Sequence, residues 1–174
     1  RLSVLDLDAR SNQPFHDDPR VLSFNGEVYN FTEVRPLLEE EGYSFRTTSD
    51  TEVLIKALGR WGWRGLERCE GMWAFALYNT DTGSLLLSRD RFGEKPLYLY
   101  RDETGLYFGS EPKLIFALLG RRLPVDEDHL CRYLVNGYKS LYKVRDTFFE
   151  GLEELPPATA LHVPASGRET LHTY

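Results

Sequence analysis

Phe24-Asn25-Gly26-Glu27-Val28-Tyr29-Asn30 is the stretch around which the rest of the chain is organised. The apolar run Val21-Leu22-Ser23-Phe24 leads into it and reads as a short strand. Asn-Gly then reads as a break in that strand, since it is the strongest short signal for a hairpin turn. A functional reading stands beside the turn. The Asn25 amide offers two hydrogen-bond donors, and Gly26 lets a small molecule approach its backbone N–H closely. Two donors side by side at the end of a strand suit a developing oxyanion.

Working outward, 174 residues are enough for one domain with a real core. A hydrophobic content of 41% with 13% aromatic residues excludes a disordered chain. A net charge of −6 argues against nucleic acid as the main partner, because phosphate binding needs a basic surface. With no apolar run able to cross a bilayer and no signal-peptide pattern, no membrane partner is expected and the expected location is cytoplasmic. Cys69 and Cys131 make no disulfide framework, and both are expected as buried structural thiols. His16, His129, His162 and His172 lack metal-ligand spacing, so no metal is expected. The sequence opens at Arg1 with what reads as a strand over 2–7, and the expectation is a piece of a longer protein.

Patterning predicts a polar loop over 8–19, the strand 21–24, and a helix ending near Glu41 with Val34, Leu37 and Leu38 on one face. Its start has two readings. Asn30 with Glu33 forms a capping pair but leaves Pro36 beyond the first turn, whereas Thr32 as cap keeps Pro36 inside it. A strand over 43–47 is followed by Ser49-Asp50-Thr51-Glu52, a capping box that opens a helix to Trp61. A helical turn falls within 62–71. The period then becomes twofold, and strands 72–78, 84–88, 97–100 and 106–109 read as an antiparallel meander. Ser110 caps a helix with Pro112 near its start and Gly120 at its end, and residues 126–136 form another. Residues 137–157 read as irregular, and 160–163 with 170–172 as a terminal hairpin. This is an α+β architecture with antiparallel sheet and segregated helices.

Four pieces carry chemistry: Arg1, the 25–27 stretch, Asp50 and the loop 89–96. An arginine fork grips a carboxylate with two parallel hydrogen bonds. A carboxylate in the first turn of a helix, as at Asp50, is kept ionised by the helix N-terminus and can receive an ammonium group. With the Asn25-Gly26 donors for a carbonyl, these pieces describe a site for an α-amino acid with a reactive side-chain amide. Arg89, Asp90, Arg91 and Lys95 read most simply as a charged loop stitched by ion pairs, and Trp73, Phe75, Tyr98 and Tyr107 as sheet packing.

Arg1-Leu2-Ser3, Phe24 to Asn30, Ser49-Asp50-Thr51-Glu52, Gly71-Met72-Trp73-Ala74-Phe75-Ala76 and Arg89-Asp90-Arg91-Phe92-Gly93 occur in this order. Ser110-Glu111-Pro112-Lys113 and Leu155-Pro156-Pro157-Ala158 extend the set over essentially the whole chain. Together they resemble the class II glutamine amidotransferase domain of the glutamine-hydrolysing asparagine synthetase family. The resemblance implies an Ntn-hydrolase-like four-layer sandwich, two antiparallel β-sheets between helix layers, with its N-terminal part outside this sequence. It implies one amidotransferase domain over 1–174, of which 121–174 is a C-terminal extension leading to a synthetase domain that is not in the sequence.

Residue by residue, the resemblance makes Arg1 the grip on the glutamine α-carboxylate, with Leu2, Ser3, Val4 and Leu5 lining the same pocket. It makes Asn25 and Gly26 the oxyanion hole, and Glu27 and Asp50 the holders of the substrate amino group. The family's nucleophile is an N-terminal cysteine that neither Cys69 nor Cys131 matches, so the chain as written is expected to have no glutaminase activity. Ammonia passes to the linked domain, which uses ATP and magnesium to amidate aspartate; no cofactor is implied for this chain itself. Pro112 and Glu94 stand where the family more often has alanine and an aliphatic residue, which leaves a different carboxylate acceptor open. A noncatalytic docking or regulatory domain and a homodimeric assembly stay open as well.

Overall fold

The computed structural model describes residues 5–6, 8–137 and 145–174. In chain order the elements are β1 (Phe15–Asp17), β2 (Arg20–Val28), α1 (Phe31–Glu40), α2 (Asp50–Trp61), β3 (Gly71–Asn79), β4 (Ser84–Arg89), β5 (Tyr98–Asp102) and β6 (Gly105–Gly109). Then follow α3 (Pro112–Leu119), α4 (Glu127–Asn136), β7 (Leu152–Glu154), β8 (Thr159–Val163) and β9 (Thr170–Thr173). The chain divides into two compact units, one of residues 1–95 with 157–174 and one of residues 96–156. Residues 121–174 are thus shared between the two. The first unit carries a six-stranded antiparallel sheet in the order β1-β2-β3-β4-β8-β9, the second a three-stranded antiparallel sheet in the order β6-β5-β7. Two antiparallel sheets with their helices make the α+β class expected.

Alternation builds the first core. Leu22, Phe24 and Val28 of β2 and Trp73, Phe75 and Leu77 of β3 point to one face, where they meet Leu54, Ile55 and Leu58 of α2. Val53 and Ala57, on the other side of α2, pack against Val34 and Leu38 of α1. The spacing of Val34 and Leu38 by one helical turn is what gives α1 a single buried stripe. In the second unit Ile115, Leu123 and Leu152 are buried, with Tyr98, Tyr100, Tyr107 and Phe149 against them.

Several expectations are corrected. Asn25-Gly26 does not break the strand: β2 continues to Val28, and its partners run without interruption from Arg20↔Asn79 to Val28↔Gly71. A turn signal loses here to ladder bonds and to the buried alternate residues on both sides of it. The polar loop 8–19 holds a 3-10 turn, Ala9–Ser11, and the edge strand β1. No strand forms over 43–47, because the Arg46 and Thr47 N–H groups donate to the Glu52 carboxylate (3.0 and 2.7 Å) and not to a neighbouring strand. Glu52 is therefore not the returning half of a capping box, although Ser49 does accept the Glu52 N–H at 3.3 Å.

Helix α1 begins after Asn30, whose side chain does not cap it and which leaves Pro36 inside the helix. The Asn30 amide instead donates to the Arg68 carbonyl and accepts the Glu70 N–H. Glu111, not Ser110, precedes α3, with Pro112 opening the helix and Gly120 closing it in the left-handed region (φ 66°). The meander is split: β4 pairs with β8, while β5 and β6 belong to the second sheet. β7 interrupts the stretch expected to be irregular, of which 138–144 lie outside the described residues. Of the strand expected over 2–7, residues 2–4 and 7 also lie outside the described residues, while Leu5 and Asp6 are not in a strand. Cys69 is buried as expected, but Cys131 is exposed, on a helix that buries only His129 fully.

Candidate functional site

The two sides of β2 have different fates. In an antiparallel ladder, successive N–H groups point alternately to the two neighbours. The Trp73 N–H points away from β2, to the Asp90 carboxylate, so Gly26, opposite Trp73, directs its own N–H away from β3. On that other side β1 pairs only with Arg20 to Leu22. Beyond it no strand among the described residues pairs with β2, and side chains take over the backbone donors. The Phe24 N–H donates to Gln13 Oε1 at 2.6 Å, and the Val28 N–H donates to Asp50 Oδ2 at 2.9 Å. Between these two anchored donors lies the Gly26 N–H, facing the same edge.

Glycine is required at that point by space as well. A Cβ on Gly26 would fall 2.7 Å from the Trp73 Cα and closer still to the Met72 carbonyl oxygen. The strand backbones thus lie directly against one another. Asn25 and Glu27 project on the face opposite Phe24 and Val28 and are half-buried. Among the described residues neither side chain has a hydrogen-bond or ion-pair partner.

Asp50 is the first residue of α2, capped by Ser49, and is 6% exposed. Burial pushes its carboxyl above the ordinary range, and the nearby Glu27 charge adds to this, while the Val28 and Thr51 hydrogen bonds pull the other way. Oδ2 holds the Val28 N–H, and Oδ1 is only 3.5 Å from the Thr51 hydroxyl. A buried carboxylate with spare acceptor capacity beside a second carboxylate suits a cation that arrives from outside. Where β2 ends, a cavity of about 530 Å³ opens, lined by Tyr29, Gly71, Arg91, Phe92 and Glu94. Loss of water contact and then the Glu94, Glu27 and Asp90 charges raise the Tyr29 phenol pKa.

The structure therefore brings Asn25, Gly26, Glu27 and Asp50 to one strand edge. Arg1, Leu2, Ser3 and Val4 lie outside the described residues. Leu5 is half-buried, and its neighbour Asp6 accepts the Thr48 N–H (2.9 Å) and hydroxyl (3.0 Å), two residues before Asp50. Sequence reasoning misses two contributors, Gln13 and the Val28 N–H, and misassigns a third, Asp90, to ion pairing. Asp90 is fully buried and accepts four N–H groups, from Trp73, Phe92, Glu94 and Lys95. The loop is thus stitched through its backbone; Arg89 donates to the Lys95 and Gly93 carbonyls, and Arg91 to those of Cys69, Leu66 and Glu67. Asp followed by a glycine-bearing loop is a turn signal that could have exposed the role of Asp90; nothing local marks Gln13. Burial pushes the Cys69 thiol up to about 12, and Cys131 lies on α4 of the other unit.

Comparisons with known proteins bear on the family and the fold. The family model described as "Glutamine amidotransferase domain" matches residues 1–174. Asparagine synthetase [glutamine-hydrolyzing] 1 of Bacillus subtilis is 32% identical over 176 residues, covering 100% of this chain and 27% of that protein. Asparagine synthetase B [glutamine-hydrolyzing] of Escherichia coli is 39% identical over 118 residues, 66% of this chain and 21% of that protein. Among solved structures, glutamine phosphoribosylpyrophosphate amidotransferase from B. subtilis superposes with a TM-score of 0.61 at 20% identity, over 91% of this chain and 30% of that one. This likeness shows the Ntn-hydrolase-type fold. The chain spans only about a quarter of the length of these relatives. With the family model matched from end to end, the chain belongs to the glutamine amidotransferase domain family.

Proposed function

We propose that this chain is the glutamine-hydrolysing domain of a larger asparagine synthetase. The observation that carries the reading is the open edge of β2, where Gly26 N–H, Asn25, Glu27 and Asp50 have hydrogen-bonding capacity the described residues do not use. In this reading the glutamine side-chain carbonyl accepts from Asn25 Nδ2 and Gly26 N–H, and both bonds strengthen as the carbon becomes tetrahedral. Glu27 and Asp50 take the α-ammonium group, and Arg1 takes the α-carboxylate beside a wall of Leu2, Ser3, Val4 and Leu5. The nucleophile is the thiol of an N-terminal cysteine supplied by sequence ahead of Arg1, with its own α-amine as base. Its sulfur bonds to the amide carbon, the C–N bond breaks, and the proton taken from the thiol leaves with ammonia. Water then cleaves the thioester and frees glutamate.

A linked synthetase domain would use ATP and magnesium to transfer the ammonia to the side-chain carboxylate of aspartate. This reading places the protein in the cytoplasm, with a homodimer as one assembly to test. No helix of the described residues is long and apolar enough to cross a membrane.

The test is Asn25→Ala in the full-length protein. Glutamine-driven turnover should fall by about 10²–10³-fold, as loss of an oxyanion donor does elsewhere, while ammonia-driven turnover survives. An equal fall in both activities would remove Asn25 from the oxyanion hole.

A further inference from the structure

Resting on the glutaminase reading above, we propose that Asp90 is the positioning residue of the oxyanion hole: it fixes the Trp73 backbone and, through it, the aim of the Gly26 N–H. The register makes the argument. β4 ends at Arg89, which pairs with Ala74, so the next rung toward Trp73 falls to Asp90. Asp90 supplies half of that rung from its main chain, where its N–H donates to the Trp73 carbonyl at 2.9 Å. The chain then turns away into the loop 91–95. In place of a strand carbonyl, Asp90 Oδ2 accepts the Trp73 N–H at 3.1 Å.

The same carboxylate holds the loop that would otherwise pull Asp90 out of line. Oδ2 also accepts the Lys95 N–H at 3.0 Å, and Oδ1 accepts the Phe92 and Glu94 N–H groups at 3.0 Å each. With four charge-assisted bonds and no exposure, Asp90 has no capacity left for a ligand, so its work is done through Trp73. The Trp73 side chain is fixed independently: its indole N–H donates to Ser88 Oγ at 3.2 Å, and its ring stacks on Tyr174 at 6.1 Å. The Tyr174 hydroxyl in turn donates to the Arg89 carbonyl at 2.6 Å. Because Gly26 has no side chain and lies against the backbone at Met72 and Trp73, a shift of Trp73 passes to Gly26 with nothing to absorb it.

The experiment uses the full-length protein and three variants. Asp90→Asn keeps the shape but presents an amide to two of the four N–H donors. Glutamine-dependent kcat should fall by roughly 10- to 10²-fold, with KM for glutamine and ammonia-driven turnover both nearly unchanged. Affinity for the γ-aldehyde analogue of glutamine, whose thiol adduct carries the oxyanion, should fall by the same factor, while glutamate binds as before. Tyr174→Phe keeps the stacked ring and loses only the hydroxyl; it should show the same pattern at about threefold, and it decides the matter if Asp90→Asn does not fold. An unchanged kcat in the folded variants, or losses shared equally by KM and ammonia-driven turnover, would overturn the positioning role. Asn25→Ala, measured alongside, reports on the glutaminase reading separately: intact glutamine turnover there removes that reading and this role together. A normal loss there with no effect of Asp90→Asn removes only this one.

Discussion

Along its β3 side, β2 is paired residue by residue from Arg20 to Val28, while along its other side pairing with β1 stops at Leu22. Each side has its own buried carboxylate. Asp90, beyond β3, is saturated by four backbone N–H groups. Asp50, on the open side, accepts one backbone N–H from β2 and keeps acceptor capacity in reserve, and burial raises its pKa. A strand whose two sides were both saturated would be a better piece of scaffold and could hold nothing. In the proposed reading, the side left unpaired beyond Leu22 among the described residues is where glutamine binds, between Gln13 and Asp50. The same residue type serves both purposes, and the number of donors it meets decides which.

The widest separation between the two sides should appear in stability. Asp90→Asn turns an amide toward two buried N–H groups, and at about 1–3 kcal/mol for each unsatisfied donor the loss should be roughly 2–6 kcal/mol in urea unfolding. Asp50→Asn keeps an oxygen for the Val28 N–H and removes a charge that burial disfavours, so stability near neutral pH should hold or rise. The sign follows from the raised pKa. A carboxyl whose folded pKa lies above its unfolded value favours the fold while protonated, and that contribution disappears as pH climbs through the folded pKa. The advantage of Asp50→Asn should therefore be present at neutral pH and vanish in acid. Equal destabilisation by the two variants would erase the distinction between scaffold and site.

Function should reverse that order for Asp50. Replacing an ammonium–carboxylate contact by an amide costs about 1.5–3 kcal/mol, so KM for glutamine should rise by roughly 10- to 10²-fold in Asp50→Asn with a smaller change in kcat. In the unmodified protein, glutamine affinity should weaken as pH falls through the raised Asp50 pKa, since the neutral acid cannot pair with an ammonium. An unaltered KM in the variant, or a pH profile without that weakening, would take Asp50 out of the amino-group pocket.

Local chemistry made much of this legible in the sequence. The helix after Ser49, the strands on both sides of Asp81-Thr82-Gly83 and the closing hairpin follow from caps, turn residues and twofold alternation, all short-range signals. The candidate residues Asn25, Gly26, Glu27 and Asp50 stand out by type and company, and the fold brings them to one strand edge. What was hidden is long-range. Asn25-Gly26 carries a turn signal that only β3 overrides, and Glu52 looks like a capping partner until Arg46 and Thr47 fold back onto it. The split of the meander depends on β8, some seventy residues later in the chain, taking the place beside β4 (a separation far above the usual hairpin loop). Cys131 is expected as a buried thiol within a helix, yet α4 buries only His129 fully.

The smallest effect expected along β2 belongs to Gln13. Its Oε1 holds the Phe24 N–H at the open edge, and its side chain is part-buried, eleven residues away in sequence. Gln13→Ala leaves that N–H to water and not to a dry interior, so the cost should be about 1 kcal/mol, well below that of Asp90→Asn. Amide exchange at Phe24 should quicken while that at Trp73, on the saturated side, stays slow. Glutamine-dependent kcat should change by no more than about threefold, because Gly26 is aimed from the β3 side and only fenced from this one. A loss from Gln13→Ala as large as that from Asp90→Asn would mean that the open edge is built as tightly as the paired one, and that the donor between its two anchors is held from both sides at once.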